Sequence, residues 1–408
     1  MSRRPLAAKD AAEPHDVLFE TAAPAEIVLP RRLVAGDGAL ARLGEVLRSG
    51  GVAPGPVLVV ADAALVELGV TTQVAERLQA AGYEADINGG IRGEPDLAAA
   101  EAVVASVRAR PYVAVVGIGG GSALDPAKLA AGLATNEGPV EAYLRGRQIT
   151  RPALPLALIP TTAGTGAEAS KNTIVTHQGR KFVVSSPLLS PALALLDPTL
   201  TVSCPRGVTA ASGMDALAHA VEATLSTWAT PFTTFNALAA VRTVGRWLRV
   251  VYDDGARLPA RRAMLNAAHL AGLAINASTL LGHSMAYTVA TRAHLPHGVT
   301  TAMTLPYCVA YDAPGARAQV ELLGSELGVA PAQLPGWLGA LAAELGMPRS
   351  LREVGIGEEQ IPAMVEECMR LYPRPNNPVP FDEARLTRLY HHFLDGDVET
   401  AAGKAEAP

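Results

Sequence analysis

The chain has 408 residues, 49% of them hydrophobic and only 4% aromatic, with a formal net charge of -5 at pH 7. That length predicts roughly two or three domains, with ample apolar residues for large cores. The acidic balance and the lack of a basic run argue against a nucleic-acid partner, and no uncharged apolar run of about 18 residues marks a membrane span. Cys204, Cys308 and Cys368 are odd in number and widely spaced, which excludes a disulfide framework or Cys-rich zinc site and fits a reducing, cytoplasmic compartment.

Residues 1–24 begin Met-Ser-Arg-Arg without an apolar signal core and mix Ala, Pro and both charge signs, so a disordered extension is expected. Short extended segments follow over Ile27–Val34, then an amphipathic helix over Ala39–Leu47. Pro56–Ala61 is an apolar run of strand length that ends against Asp62. Thr72–Ala81 reads as a helix, Ala85–Asn88 as a strand, Leu97–Ala109 as a helix, Tyr112–Ile118 as a strand and Leu154–Ile159 as another. Apolar strands alternating with helices predict an α/β fold whose parallel sheet is covered on both faces. From Pro205 onward strand-like runs become rare and helical periodicity dominates. A boundary near Val202 therefore separates an α/β unit over 25–202 from an all-α unit over 203–400, and the last few residues form a second tail.

Gly117-Ile-Gly-Gly-Gly-Ser122 lies between a strand and a helix. Glycines there permit a tight turn and close approach of backbone amides to a pyrophosphate at the helix N-terminus, although Ser122 departs from the usual dinucleotide fingerprint. Thr161-Thr-Ala-Gly-Thr-Gly166 follows the next strand, and its hydroxyls and amides suit a phosphate or a nicotinamide amide. Asp62 has two readings: acceptor for the adenosine ribose hydroxyls, which favours NAD(H) over NADP(H), or cap of the next helix. Lys128 reads as part of the phosphate motif or as an ordinary helix-surface residue.

In the helical half, Asp215 and His219 stand four residues apart, which on a helix places both on one face one turn apart. His283 opens a second helical segment and His297 closes it between Pro296 and Gly298, two helix breakers that let the chain turn back. Three imidazoles and one carboxylate suit a single divalent ion such as Fe(II), Zn, Co or Ni. A solvated helix face is the bland reading of the Asp215–His219 pair alone. Glu222, seven residues after Asp215, reads as a support for a ligand or as a partner for an Arg, and His269 as a packing residue on its helix.

These motifs, in this order, resemble the iron-containing alcohol dehydrogenase family. The resemblance rests on Leu33-Val-Ala-Gly-Asp-Gly38, Gly119-Gly-Gly-Ser-Ala-Leu-Asp-Pro-Ala-Lys128, Pro160-Thr-Thr-Ala-Gly-Thr-Gly-Ala-Glu168, and Asp215, His219, His283 and His297, and spans residues 26–310. It implies an N-terminal dinucleotide domain and a C-terminal helical metal domain of the dehydroquinate synthase-like fold. It also implies cofactor contacts at Gly119, Gly120, Gly121, Ser122, Asp125, Thr161, Thr162, Thr165 and Lys181. Two positions depart from the family's pattern. Glu94, in Gly93-Glu-Pro95, stands where an Asn is usual, and Tyr287 stands where a His is usual, four residues after His283. A phenol with a reference pKa of about 10 donates a proton more readily than it accepts one at neutrality.

The expected activity is metal-dependent, NAD(H)-linked hydride transfer to or from a small polar carbonyl compound, with Tyr287 as the catalytic candidate and a homodimer or larger homo-oligomer as the assembly. Two alternatives stay open: reduction of an acidic substrate in the manner of maleylacetate reductase, with Arg145 and Arg147 as candidate anion contacts, and a lyase in the manner of dehydroquinate synthase. A catalytically silent metal-binding protein is a third.

Overall fold

The computed structural model describes residues 25–403, so the expected extension over 1–24 lies outside the described residues. The first unit holds β1 (Leu33–Ala35), α1 (Leu43–Ser49), β2 (Pro56–Asp62), α2 (Ala63–Glu67), α3 (Val70–Ala80), β3 (Glu84–Ile91), α4 (Leu97–Arg108), β4 (Ala114–Gly119), α5 (Gly121–Leu133), α6 (Val140–Leu144) and β5 (Leu156–Pro160). A hairpin, β6 (Asn172–His177) and β7 (Arg180–Ser185), and a last strand, β8 (Leu193–Leu196), complete it. The main sheet runs β1-β8-β5-β4-β2-β3 with every pair parallel. The central strands β4 and β5 are buried along their whole length, as expected of strands covered on both faces.

The strand order fixes where a ligand fits. From β2 the chain steps outward to β3, then returns to β2's other side for β4 and continues away through β5. The carboxyl ends of β2 and β4 thus flank the point where the winding reverses, the crevice that open α/β sheets use for ligands. Asp62 ends β2 and Gly119 ends β4.

The helical half follows as α7 (Arg206–Leu225), α8 (Pro231–Asp253), α9 (Leu258–Ala274), α10 (Leu281–Ala293), α11 (His297–Asp312), α12 (Arg317–Leu327), α13 (Leu334–Glu344), α14 (Ile361–Leu371), α15 (Glu383–Asp395) and α16 (Val398–Gly403). Helix α7 is buried on every side from Met214 to Leu225, so it is the axis of this half rather than a surface helix. Small residues make that burial possible: Gly213, Ala216, Ala218, Ala220 and Ala223 let α8, α9 and α11 approach it closely.

Three local features differ from the sequence reading. The expected helix over Ala39–Leu47 is a short 3-10 turn (Ala39–Arg42) leading into α1. The strands of the hairpin β6–β7, which carry no strong apolar run, and the four-residue β8, which is apolar and buried but very short, were not among the expected elements. Gly298 does not break a helix: it sits inside α11, where a Cβ would lie 2.5 Å from the Ala211 carbonyl oxygen, so its lack of a side chain seats α11 on α7. The break falls earlier, at His294, whose left-handed backbone (φ 52) ends α10, and at Pro296, whose extended backbone starts α11.

Candidate active site

Asp215 and His219 project from one face of α7, His283 from the first turn of α10, and His297 is the first residue of α11. The turn at His294–Pro296 folds α11 back against α10, which brings His297 to His283. The donor atoms of Asp215, His219 and His283 lie within 4.8 Å of one another, and all three residues are buried. His297 stands beside this group, its Nε2 3.8 Å from Asp215 Oδ1 and its ring 5.4 Å from that of His283. The His219 and His283 rings stack at 4.7 Å.

The polar atoms here show what the cluster is short of. His219 Nδ1, His283 Nε2 and His297 Nδ1 are all buried without a hydrogen-bond partner, although buried polar atoms are almost always paired. Burial, with His219 next, holds the His283 imidazole well below its ordinary pKa, and burial brings His297 down to about 3. Burial would raise the Asp215 carboxyl, but His219, His297 and His283 together more than offset it, and the carboxyl sits below its usual value. Buried imidazole nitrogens without partners, gathered around a carboxylate, fit one divalent transition-metal ion.

Neighbouring groups fix this donor set. Glu222, buried on the same helix as Asp215, bonds His283 Nδ1 through Oε1 at 2.9 Å and accepts the Leu280 amide through Oε2. A proton on Nδ1 leaves the Nε2 lone pair free to ligate, the usual arrangement behind a metal-binding histidine. Burial pushes the Glu222 carboxyl up to about 7. The Thr301 hydroxyl donates to Asp215 Oδ1 at 3.0 Å. Thr301 falls one turn after His297, a spacing that could have revealed it. The exposed-partner reading of Glu222 does not hold.

On the other side of the cleft, Gly119 has φ +147, and a Cβ there would lie 2.3 Å from Asp62 Oδ2, so only glycine fits. The Asp62 side chain does not cap α2. It reaches the phosphate loop instead, accepting the Ser122 hydroxyl at 2.7 Å and the Gly120 amide at 3.2 Å. Burial raises its pKa. The Thr162 and Thr165 side chains pack over Gly120 and Gly121, which places the threonine loop across the mouth of α5, where first-turn amides have no acceptor within the helix. A Cβ at Gly164 would lie 2.7 Å from Ser212 Cβ, one turn before Asp215. Thr161 is buried at the end of β5. The nucleotide loops and the histidine cluster therefore share one cleft.

Asp125 and Lys128 both reach the hairpin. Lys128 is fully buried, not a surface residue, and donates to Ser170 Oγ at 3.2 Å and the Asn172 carbonyl at 2.5 Å. Asp125 accepts the Ile174 amide at 3.1 Å, and burial lifts its carboxyl to about 6 despite Lys128. Together they clamp the β6–β7 hairpin onto α5. That hairpin carries Lys181, whose ammonium pairs with Glu94, and Glu94 also accepts the His297 amide at 3.2 Å. The residue that departs from the family pattern thus ties the β3–α4 loop, the hairpin and α11 together. His269 does more than pack: its Nδ1 bonds Glu168 at 3.0 Å, joining α9 to the end of the threonine loop.

Tyr287 stacks on His297 with ring centroids 5.3 Å apart and meets Tyr372 at 4.9 Å. Burial raises its pKa. Arg145 and Arg147 lie away from this cleft, Arg145 paired with Glu141 and Arg147 over the Tyr143 ring, so neither meets a substrate here. Tyr372 and Arg374 carried no sequence signal: they come from the loop after α14.

Residues 30–198 match the family described as iron-containing alcohol dehydrogenase, and residues 209–394 match the C-terminal region of the Fe-containing alcohol dehydrogenase family. The long-chain-alcohol dehydrogenase 1 of Geobacillus thermodenitrificans is 36% identical over 92% of this chain and 98% of its own. The solved structure of a 1,3-propanediol oxidoreductase, 29% identical, superposes with a TM-score of 0.86 over 91% of this chain and all of that one. A sulfoacetaldehyde reductase from Bifidobacterium kashiwanohense, solved in complex with NAD+ and 25% identical, superposes with a TM-score of 0.84 over 91% of this chain and 99% of its own. With a cleft built at a strand-order reversal and a donor set short of one cation, these matches leave no room for the lyase or the silent protein: the chain belongs to the iron-containing alcohol dehydrogenase family and is an NAD(H)-linked, metal-dependent alcohol dehydrogenase or aldehyde reductase.

Proposed function

We propose that this enzyme reduces a small polar aldehyde with NADH. In this reading Asp215, His219, His283 and His297 hold one divalent ion, with Fe(II) the first choice and Zn the chief rival. Gly119, Gly120, Gly121, Ser122, Thr161, Thr162, Thr165 and Lys181 border the cofactor, Asp62 disfavours a 2′-phosphate, and Asp125 holds the hairpin that presents Lys181. The observation that carries the reading is the trio of buried imidazole nitrogens without partners around Asp215. When bound, the ion supplies Lewis acidity at the carbonyl oxygen and NADH supplies the hydride.

The chain's own residues orient and protonate. Glu222 keeps His283 in one tautomer, and Thr301 fixes the Asp215 carboxylate. Glu94 and Lys181 keep the hairpin against the first turn of α11. Burial keeps the Tyr287 phenol protonated at neutral pH, so it serves as the donor to the product alkoxide. A protonated phenol is a poor base, and this favours reduction over oxidation. We assign residues 25–202 to cofactor binding and 203–400 to metal and substrate. The unpaired cysteines agree with a cytoplasmic setting, and a homodimer is the assembly we expect.

The test is metal analysis followed by NADH consumption over a panel of aldehydes with the purified, metal-loaded protein. About one ion per chain and one NADH oxidised per aldehyde reduced are the expected results. A fully loaded protein that oxidises no NADH across the panel rejects the reading.

A further inference from the structure

Arg374 is a cation beside this site whose charge no nearby carboxylate pairs among the described residues. Two other cations in the same wall are paired, Lys181 with Glu94 and Arg292 with Glu367. Among the described residues Arg374 has no carboxylate within ion-pair distance. Its Nε donates to Ser284 Oγ at 2.8 Å, next to His283, and its guanidinium lies near the Tyr287 phenol. Its charge is felt at Tyr287, His283 and Glu222, which places it among the residues around the ligand cluster.

The segment that carries it is preorganised. Arg374 sits between Pro373 and Pro375, which restrict the backbone on both sides. The next two residues are anchored: Asn376 takes the Thr227 amide at 3.0 Å and reaches Ser226, and Asn377 takes the Leu281 amide at 3.1 Å and donates to Asp312. The loop is thereby pinned to the end of α7, the start of α10 and the end of α11. A half-buried guanidinium on such a loop keeps N–H groups that no carboxylate takes up and that an oxyanion ligand can accept from. The protein as a whole carries a net charge of -5, so an anionic substrate needs a local cation to be held.

We propose that Arg374 determines specificity, and that the preferred substrate is a short-chain aldehyde whose far end carries an anionic oxygen group, a carboxylate or a sulfonate. This deepens the reductase reading above and rests on it. The planar guanidinium matches either oxyanion with two parallel hydrogen bonds. The oxyanion end would be held at Arg374 while the carbonyl end meets the histidine cluster, with Tyr287 between them.

The experiment compares kcat/KM of the metal-loaded enzyme on 3-carboxypropanal and 2-sulfoethanal with that on butanal and propanal. Wild-type enzyme is expected to prefer at least one anionic aldehyde by about tenfold or more, and whichever is preferred identifies the oxyanion. Arg374→Gln is expected to cut that preference about 10- to 100-fold, mainly through KM, as expected when a polar partner in the site is removed. Arg374→Lys should recover part of it. Calorimetric titration with 2-hydroxyethanesulfonate and 4-hydroxybutanoate should show the same loss without turnover. Equal losses on charged and neutral aldehydes would show that Arg374 merely holds Tyr287 in place, and would overturn the proposal. Wild-type activity on neutral aldehydes with no anionic preference overturns it too, while leaving the reductase reading intact. Loaded enzyme that oxidises NADH with none of the four aldehydes removes both.

Discussion

The cluster around Lys128 and the cluster around Asp215 are both buried, yet they dispose of their polar atoms in opposite ways. Lys128 donates to Ser170 and to the Asn172 carbonyl, and Asp125 accepts from the Ile174 amide, so each charged group is met by the chain. Around Asp215 three imidazole nitrogens are met by nothing. The first cluster is complete as it stands and serves to fasten a hairpin to α5. The second leaves donor atoms vacant in a dry space, where leaving them so costs free energy, and only an external ligand completes it. Buried charge alone does not separate scaffold from site; the disposition of the partner atoms does.

Breaking the second cluster should have the larger consequence for function. His283→Ala removes the donor that Glu222 holds in place, and both metal content and NADH turnover should be lost together while far-UV circular dichroism stays native. Full metal occupancy in this variant would take His283 out of the ligand set. Breaking the first cluster should act on stability instead. Lys128→Met leaves the buried Asp125 carboxylate without its cation and should cost about 3–5 kcal/mol, read from denaturant unfolding, with about one ion per chain still bound. Loss of metal at unchanged stability would contradict the division drawn here. A smaller effect is expected at Glu222→Gln, which keeps the size of the side chain but weakens the bond to His283. Metal affinity should fall about 10- to 100-fold, the usual cost of altering a group behind a ligand, as measured by competition with a chelator. An unchanged affinity would mean that Glu222 supports the Leu280 amide alone.

The same distinction explains what the sequence disclosed. The strands Pro56–Asp62, Ala114–Gly119 and Leu156–Pro160 are apolar but for the terminal Asp62, so their length was readable. The strands of the hairpin were not, because they face partly outward and mix Asn, Thr, Arg and Lys with Ile and Val. Asp215 and His219 were legible from a four-residue step, and His283 and His297 from the break between two helices. Glu222 was visible as a position but not as a bond, since only the fold decides whether its carboxylate meets an arginine or an imidazole. Lys128 stayed open between the phosphate motif and an exposed helix face because its partners come from Ser170 and a strand with no apolar run. Arg374 and Tyr372 lie far along the chain from the ligands, and no spacing rule connects a loop after α14 to a helix that begins at Leu281.

Asp62 tests the comparison at its finest point, because it belongs to both kinds of group. Its carboxylate is partnered by Ser122 and the Gly120 amide, as scaffold would be, yet it stands at the strand-order reversal and each oxygen retains a lone pair for a ribose hydroxyl. Asp62→Asn removes the charge but keeps an acceptor for the Gly120 amide. If the carboxylate repels a 2′-phosphate, this variant should shift the NADH-over-NADPH ratio of kcat/KM by about tenfold toward NADPH, a change of ~1.4 kcal/mol. Asp62→Gly removes the loop's anchor as well and should raise KM for both cofactors. Equal losses with NADH and NADPH in both variants would place Asp62 wholly with the scaffold, and the cofactor preference would then have to arise elsewhere in the crevice.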